Sequence, residues 1–151
     1  MRQYSATSNP EKTARAFGYE MHCSPKHCRN IVKAIKGMKL SDAQEFLTEV
    51  SELRTPVPFV VRKRKIAHRK GKIGPGAFPE KAARHMLKVL KNAENNAEYK
   101  GLDPEEMVIV HASAYRGRTL EGFMPRAHGR ATACNEQTSN VEIIISEKEE
   151  A

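Results

Sequence analysis

The sequence predicts an α+β domain: three helices packed on one face of a small three-stranded antiparallel sheet. Three observations predict it. Three segments repeat apolar residues at helical spacing between helix-starting and helix-ending residues. Three shorter segments are rich in β-branched or aromatic residues and partly alternate. Along the chain the order is one strand, three helices, then a pair of strands. At 151 residues the chain has the length of a single domain, spanning 1–151, with its own core.

The first strand is the short apolar stretch near Phe17–His22. The first helix opens at "SPKHCRNIVKAIKG", where Ser24 can cap, Pro25 suits the first helical position and Gly37 closes the turn. Cys28, Ile31, Val32 and Ile35 share one of its faces. The second helix opens at "SDAQEFLTEV", with Ser41 and Gln44 at capping-box spacing, and Ala43, Phe46, Leu47, Val50 and Leu53 as its apolar stripe. The third runs from Pro79 to Gly101, with Ala83, Met86, Leu87, Leu90, Ala93 and Ala97 in helical period. "MVIVHASAYRG" and "NVEIIISE" supply the last two strands. About twenty-five residues separate their cores, "MVIVHASAY" and "VEIIIS", where a hairpin turn needs two to five. Two segments find no place in that core. Residues 54–77, with prolines at 56, 58 and 75 and glycines at 71, 74 and 76, read as an irregular basic loop. The opening stretch reads as a charged arm that would order mainly on a partner.

Charge is the loudest compositional signal. Lys and Arg number 26 against 18 Asp and Glu, a net +8, which points to a polyanionic partner. The charge is uneven. From Arg54 to Lys72 there are eight basic residues and no acid, and residues 116–130 hold Arg116, Arg118, Arg126 and Arg130 against Glu121 alone. An acid-free run with interleaved glycines suits close approach to phosphates. The candidate nucleic-acid-binding residues are therefore Arg62, Lys63, Arg64, Lys65, Arg69, Lys70 and Lys72 in the loop, with the four arginines of 116–130. Nine aromatic residues and no Trp argue against base stacking as the main binding mode. No apolar run approaches the ~18 residues of a membrane span, and the start lacks the apolar core of a signal peptide. An odd cysteine count of three gives no disulfide framework, so the cytoplasm is the default.

Catalytic and metal chemistry find little support. "HCSPKHC" places two Cys and two His within seven residues, but Cys23 and Cys28 are five apart and no second ligand pair exists elsewhere. Cys28 falls on the buried side of its helix like any small apolar residue. His22, His27, His68, His85, His111 and His128 are scattered, with no nucleophile–base–orienting-group pattern. No Walker loop or dinucleotide fingerprint is present. The expectation is no enzyme, no cofactor and no metal. A helix-turn-helix reading also fails. The would-be recognition helix carries Asp42, Glu45, Glu49 and Glu52 and no basic residue, which a phosphate-lined groove would repel.

"PRAHGRA" at 125–131 followed by "NVEIII" at 140–145 resembles the signature of the twenty-second large-subunit ribosomal protein family, the seventeenth in eukaryotic naming. "SPKHCRNIVKAIKG", "TPVPF" and "FPEKAARHMLKVLKNAENNAEYKGLD" resemble its archaeal and eukaryotic branch, and the blocks lie in family order over about residues 10–147. Glu121 departs from the pattern, standing where the family usually places a basic or amide group. The resemblance implies a small body on the outer surface of the large ribosomal subunit, in the cytoplasm. It also implies a long protruding β-hairpin, about Met107 to Ser146, with its tip at about 123–133. It implies contacts with several domains of large-subunit ribosomal RNA and with neighbouring ribosomal proteins, and a part in assembly. On the tip motif, Arg126, His128 and Arg130 would touch RNA, while Phe123, Met124, Pro125, Arg126, Ala127, His128, Gly129 and Arg130 would line the nascent-peptide exit tunnel. Loop 54–77 would be a further RNA contact. At ~3.3 Å per residue, some fifteen residues each way would reach about 50 Å. A small, basic tip could face a wet passage without an adhesive apolar patch.

Overall fold

The computed structural model describes residues 4–61, 63 and 65–147. Its main sheet has three antiparallel strands: β1 (Thr13–Met21), β5 (Met107–Leu120) and, between them, β8 (Glu136–Glu147). The helices are α1 (Pro25–Ile35), α2 (Leu40–Ser51) and α3 (Glu80–Tyr99). α3 lies against β1, α1 against β5, and α2 against α3. The fold is the α+β arrangement that the residue pattern predicts.

The core explains why these residues adopt these elements. Central β8 turns Val141, Ile143 and Ile145 toward the helices, while flanking β1 and β5 offer Ala14, Ala16, Ala112 and Ala114. Bulk in the middle and alanines at the sides give helices room to approach both edges. Ile31 and Ile35 of α1, Leu47 of α2, and Met86 and Leu90 of α3 complete the cluster, all fully buried. In β5 the buried parity changes from Met107 and Ile109 to Ala112 and Ala114. A bulge between Ile109 and His111 inserts one residue and returns the next apolar side chains to the same face.

Several boundaries differ from the sequence expectation. β1 is nine residues long and starts at Thr13, not near Phe17. Its outer-face side chains Arg15 and Phe17 are held by the opening stretch, which is no free arm. Ser8 accepts from Arg15 Nε at 3.1 Å and Nη2 at 2.7 Å, and the Tyr4 ring stands edge-on to Phe17 at 6.0 Å. The same stretch satisfies a buried carboxylate. The Ser5 amide donates to Glu142 Oε2 at 3.1 Å, its hydroxyl bonds the other oxygen, and His111 Nε2 lies 3.2 Å away.

α2 opens at Leu40 with Lys39 at the cap position, so Ser41 and Gln44 form no capping box. The preceding connector is tied to the edge of β5. Gly37 N–H donates to the Ile109 carbonyl at 2.9 Å, and Ile109 N–H to the Met38 carbonyl at 3.0 Å, which draws Leu40 into the core. Gln44 instead donates to Glu94 of α3 at 2.9 Å. Leu53, expected on the apolar stripe, is 57% exposed with φ +65°. It occupies the left-handed position of a Schellman ending, with Arg54 N–H to Glu49 O at 2.9 Å and Leu53 N–H to Val50 O at 3.3 Å. Ser24 does precede α1, and Pro25 opens it, but its hydroxyl makes no cap bond.

Candidate nucleic-acid interface

The stretch read as an irregular loop holds β2 (Val57–Pro58), β3 (His68–Arg69) and β4 (Gly74–Ala77), ordered β2–β4–β3. Its root belongs to the core, because Val57 and Phe59 are buried. One polar side chain pins it. Asn30 of α1 accepts from the Val60 and Val61 amides at 3.1 and 3.0 Å and donates to the Lys26 and Val61 carbonyls at 2.8 and 3.3 Å. A buried amide with all its positions used fixes the loop's exit direction. His27 stacks on Phe59 with ring centroids 5.7 Å apart, and burial followed by Lys26 pushes its pKa down. Beyond this anchor Lys63, Lys65, Lys70 and Lys72 are exposed. Arg69 is exposed but aimed: its guanidinium lies 5.0 Å over the Phe78 ring, and Nε donates to the Gly76 carbonyl at 3.0 Å. Arg62 and Arg64 lie outside the described residues.

The second basic element grows out of β5 and β8. Their pairing continues past the helices to Leu120 opposite Glu136. A further ladder joins β6 (Phe123–Pro125) to β7 (Ala131–Ala133), with Cys134 N–H bonded to the Gly122 carbonyl at 2.6 Å between the two. No residue from 115 to 137 is buried. A second bulge between Arg116 and Thr119 marks where this hairpin leaves the body. There the Thr138 hydroxyl bonds the Arg118 carbonyl at 2.7 Å, and a Cβ on Gly117 would lie 2.5 Å from that hydroxyl oxygen. From Arg116 to Arg126 the strand can reach about 35 Å.

The tip is a tight turn. Arg126 N–H bonds the Arg130 carbonyl at 2.7 Å, and His128 and Gly129 take φ +58° and +68° between them. Arg126 and Arg130 thus flank the turn's base, both exposed. Phe123 and Met124 are 76% and 48% exposed, so the tip carries an apolar pair beside its cations rather than being only small and basic. A two-stranded ladder has no second layer to cover them.

Among the described residues the ion pairs are Arg54–Glu52, Arg84–Glu80 and His111–Glu142, so none of the arm's four arginines takes part in one. The structure also joins the two basic elements. Lys26 and Arg29 of α1, Val61 of the loop, and Arg116 and Gln137 at the arm's root line one groove. The sequence reading missed the α1 cations, although Lys26, Arg29, Lys33 and Lys36 recur at helical spacing on a face without acids.

This architecture can be set beside known proteins. The family described as Ribosomal protein L22p/L17e matches residues 16–146. The chain belongs to that family. Its L22p/L17e relatives include the large ribosomal subunit protein uL22 of Methanococcoides burtonii, 48% identical over 145 residues that cover 96% of each chain. That of Archaeoglobus fulgidus is 50% identical over 135 residues, 88% of this chain and 87% of the relative. That of Methanocaldococcus jannaschii is 47% identical over 147 residues, 96% and 94% of the two. The L22p/L17e family is one of structural, non-enzymatic ribosomal proteins of the cytoplasm. The match covers the hairpin and the basic loop as well as the body.

Proposed function

We propose that this chain is a structural constituent of the large ribosomal subunit that binds large-subunit ribosomal RNA through two basic elements, aids its assembly, and presents its hairpin tip to the nascent-peptide exit tunnel. The observation that carries the reading is the arm: residues 115–137 without a buried side chain, carrying four arginines that take part in no ion pair among the described residues. A two-stranded ladder of that length buries too little to be stable by itself, and RNA supplies partners for its cations and its open edges. In this reading Lys63, Lys65, Arg69, Lys70 and Lys72, together with Arg62 and Arg64, neutralise phosphates on one side of the body. Arg116 and Arg118 do so along the arm, and Arg126, His128 and Arg130 at the tip. Phe123 to Arg130 border the nascent polypeptide, and neighbouring ribosomal proteins are the other partners. Glu121 and Glu136 are the two acids on the arm, and the groove's Lys26 and Arg29 join the contact set.

Sedimentation of native cell extract through a sucrose gradient, with a high-salt wash, tests the assignment. Retention at about one copy per large subunit is the expected result. Release to the top of the gradient at modest salt would overturn it and leave a free binder of structured RNA.

A further inference from the structure

Cys23 lies in the bend after β1 and Cys28 in the first turn of α1, and their sulfurs are 3.2 Å apart. Both are free thiols, and both are buried. Ordinary packing leaves sulfur atoms farther apart than this, and a disulfide needs about 2.05 Å, so closing the bond takes a movement of roughly 1 Å. Cys23 stands outside any helix or strand ladder, with its amide bonded to the Met21 carbonyl and its carbonyl to the Ser139 hydroxyl, both at 2.7 Å, so the movement falls on its side chain.

The two thiols are not equivalent. The Cys28 thiol beside Cys23 lowers the Cys23 pKa to about 7, against burial that raises it, and Ser139 and Lys81 add to the fall. Cys28 is pushed strongly up by the same hydrogen bond and by its burial. Cys23 also borders an open cleft of about 490 Å³ whose walls include His22, Lys26, His27 and Lys81. Cys23 thus sits at the cleft's edge with a trace of exposure, while Cys28 is fully enclosed behind it in the core.

We infer that Cys23 and Cys28 form a peroxide-sensitive thiol–disulfide pair at the junction of the sheet and the first helix. The Cys23 thiolate attacks one oxygen of hydrogen peroxide, the O–O bond breaks, and hydroxide leaves and takes up a proton as water. Cys23 is then a sulfenic acid. The Cys28 sulfur attacks it, forming the S–S bond and expelling the oxygen as a second water with the Cys28 proton. In sum, two thiols and one peroxide give one disulfide and two waters. A thiol reductant reverses the bond by exchange. The inference stands apart from RNA binding, since it concerns the body alone.

The test uses the full chain with Cys134→Ala, which removes the exposed third thiol. It is treated with stoichiometric hydrogen peroxide, alkylated and digested with trypsin. Cleavage after Arg15, Lys26 and Arg29 puts the two cysteines on separate peptides. The expected result is peptides 16–26 and 27–29 recovered as one disulfide-linked species, released by dithiothreitol. With Cys28→Ala added, Cys23 accumulates as a sulfenic acid trapped by dimedone. Two alkylated peptides after peroxide would overturn the inference, as would Cys23 sulfinic acid with Cys28 still a free thiol. Should the Cys28→Ala chain fail to fold, the linked-peptide measurement decides alone.

Discussion

Asn30 and Glu142 show how single polar residues decide the geometry around them. Both are buried, and both are bonded by segments distant in sequence, Asn30 with one further bond inside its own helix. Asn30→Ala leaves the Val60 and Val61 amides without acceptors, an expected loss of roughly 2 kcal/mol in urea unfolding. Faster proteolysis within 60–73 should accompany it, and unchanged cleavage there would show that Asn30 does not anchor the loop. At Glu142 burial by itself would raise the pKa. The Ser5 hydroxyl and amide and then His111 outweigh it and hold the group below the usual carboxylate range. A lowered folded pKa means that the unfolded chain binds protons first as acid is added. The Glu142 contribution is therefore complete above the unfolded value near ~4.3 and is lost as pH falls through the folded one. Glu142→Gln should flatten the acid limb of stability in that window, and an identical slope in the two proteins would exclude Glu142 as its source. Neither role is legible in the chain. Asn30 reads as one polar residue on a helix and Glu142 as a charge inside an isoleucine run, because the groups that satisfy them arrive from residues 60–61 and from residue 5.

The arm and the loop are the elements that separate function from folding. All side chains of the buried core lie outside residues 115–137. Replacing 117–137 with a short glycine-rich turn should leave the helical circular dichroism and the thermal midpoint close to those of the full chain. Loss of the helical signal would mean that arm and body fold as one unit. The helices themselves were readable from apolar period, Pro25 and Pro79 at their openings, and Gly37 and Gly101 after their ends, which take φ +87° and +75°. Their boundaries were less so. α2 starts early because its connector pairs with β5, and Leu53 leaves the stripe because the helix terminates in a left-handed residue. The strands hid more. β1 runs four residues farther back than its apolar centre, since Thr13, Ala14, Arg15 and Ala16 pair with 143–146. Short strands inside the basic loop escaped notice because two-residue pairings through proline and glycine carry no alternation.

For the whole molecule the decisive quantity is the placement of its +8 charge. Cations concentrate in the loop, the arm and the outer face of α1, while Glu142 is turned into the body. Association with a large-subunit ribosomal RNA fragment should therefore weaken steeply with salt. Changing Arg116, Arg118, Arg126 and Arg130 together to Gln should lower the slope of log affinity against log salt by about 3, at ~0.7–0.9 per phosphate contact. An unchanged slope would remove the arm from the RNA contact.

By itself the sequence determined the α+β class, the three helices, the basic character of two segments and the family signature. Those are properties of local spacing, composition and short motifs, which each stretch carries regardless of its neighbours. Only the tertiary structure decided where the opening stretch goes, how the loop is pinned, and that Lys26 and Arg29 line one groove with Arg116. Each of these depends on residues far apart in the chain being brought together, and burial, bulges and hydrogen-bond satisfaction act only once the layers have packed.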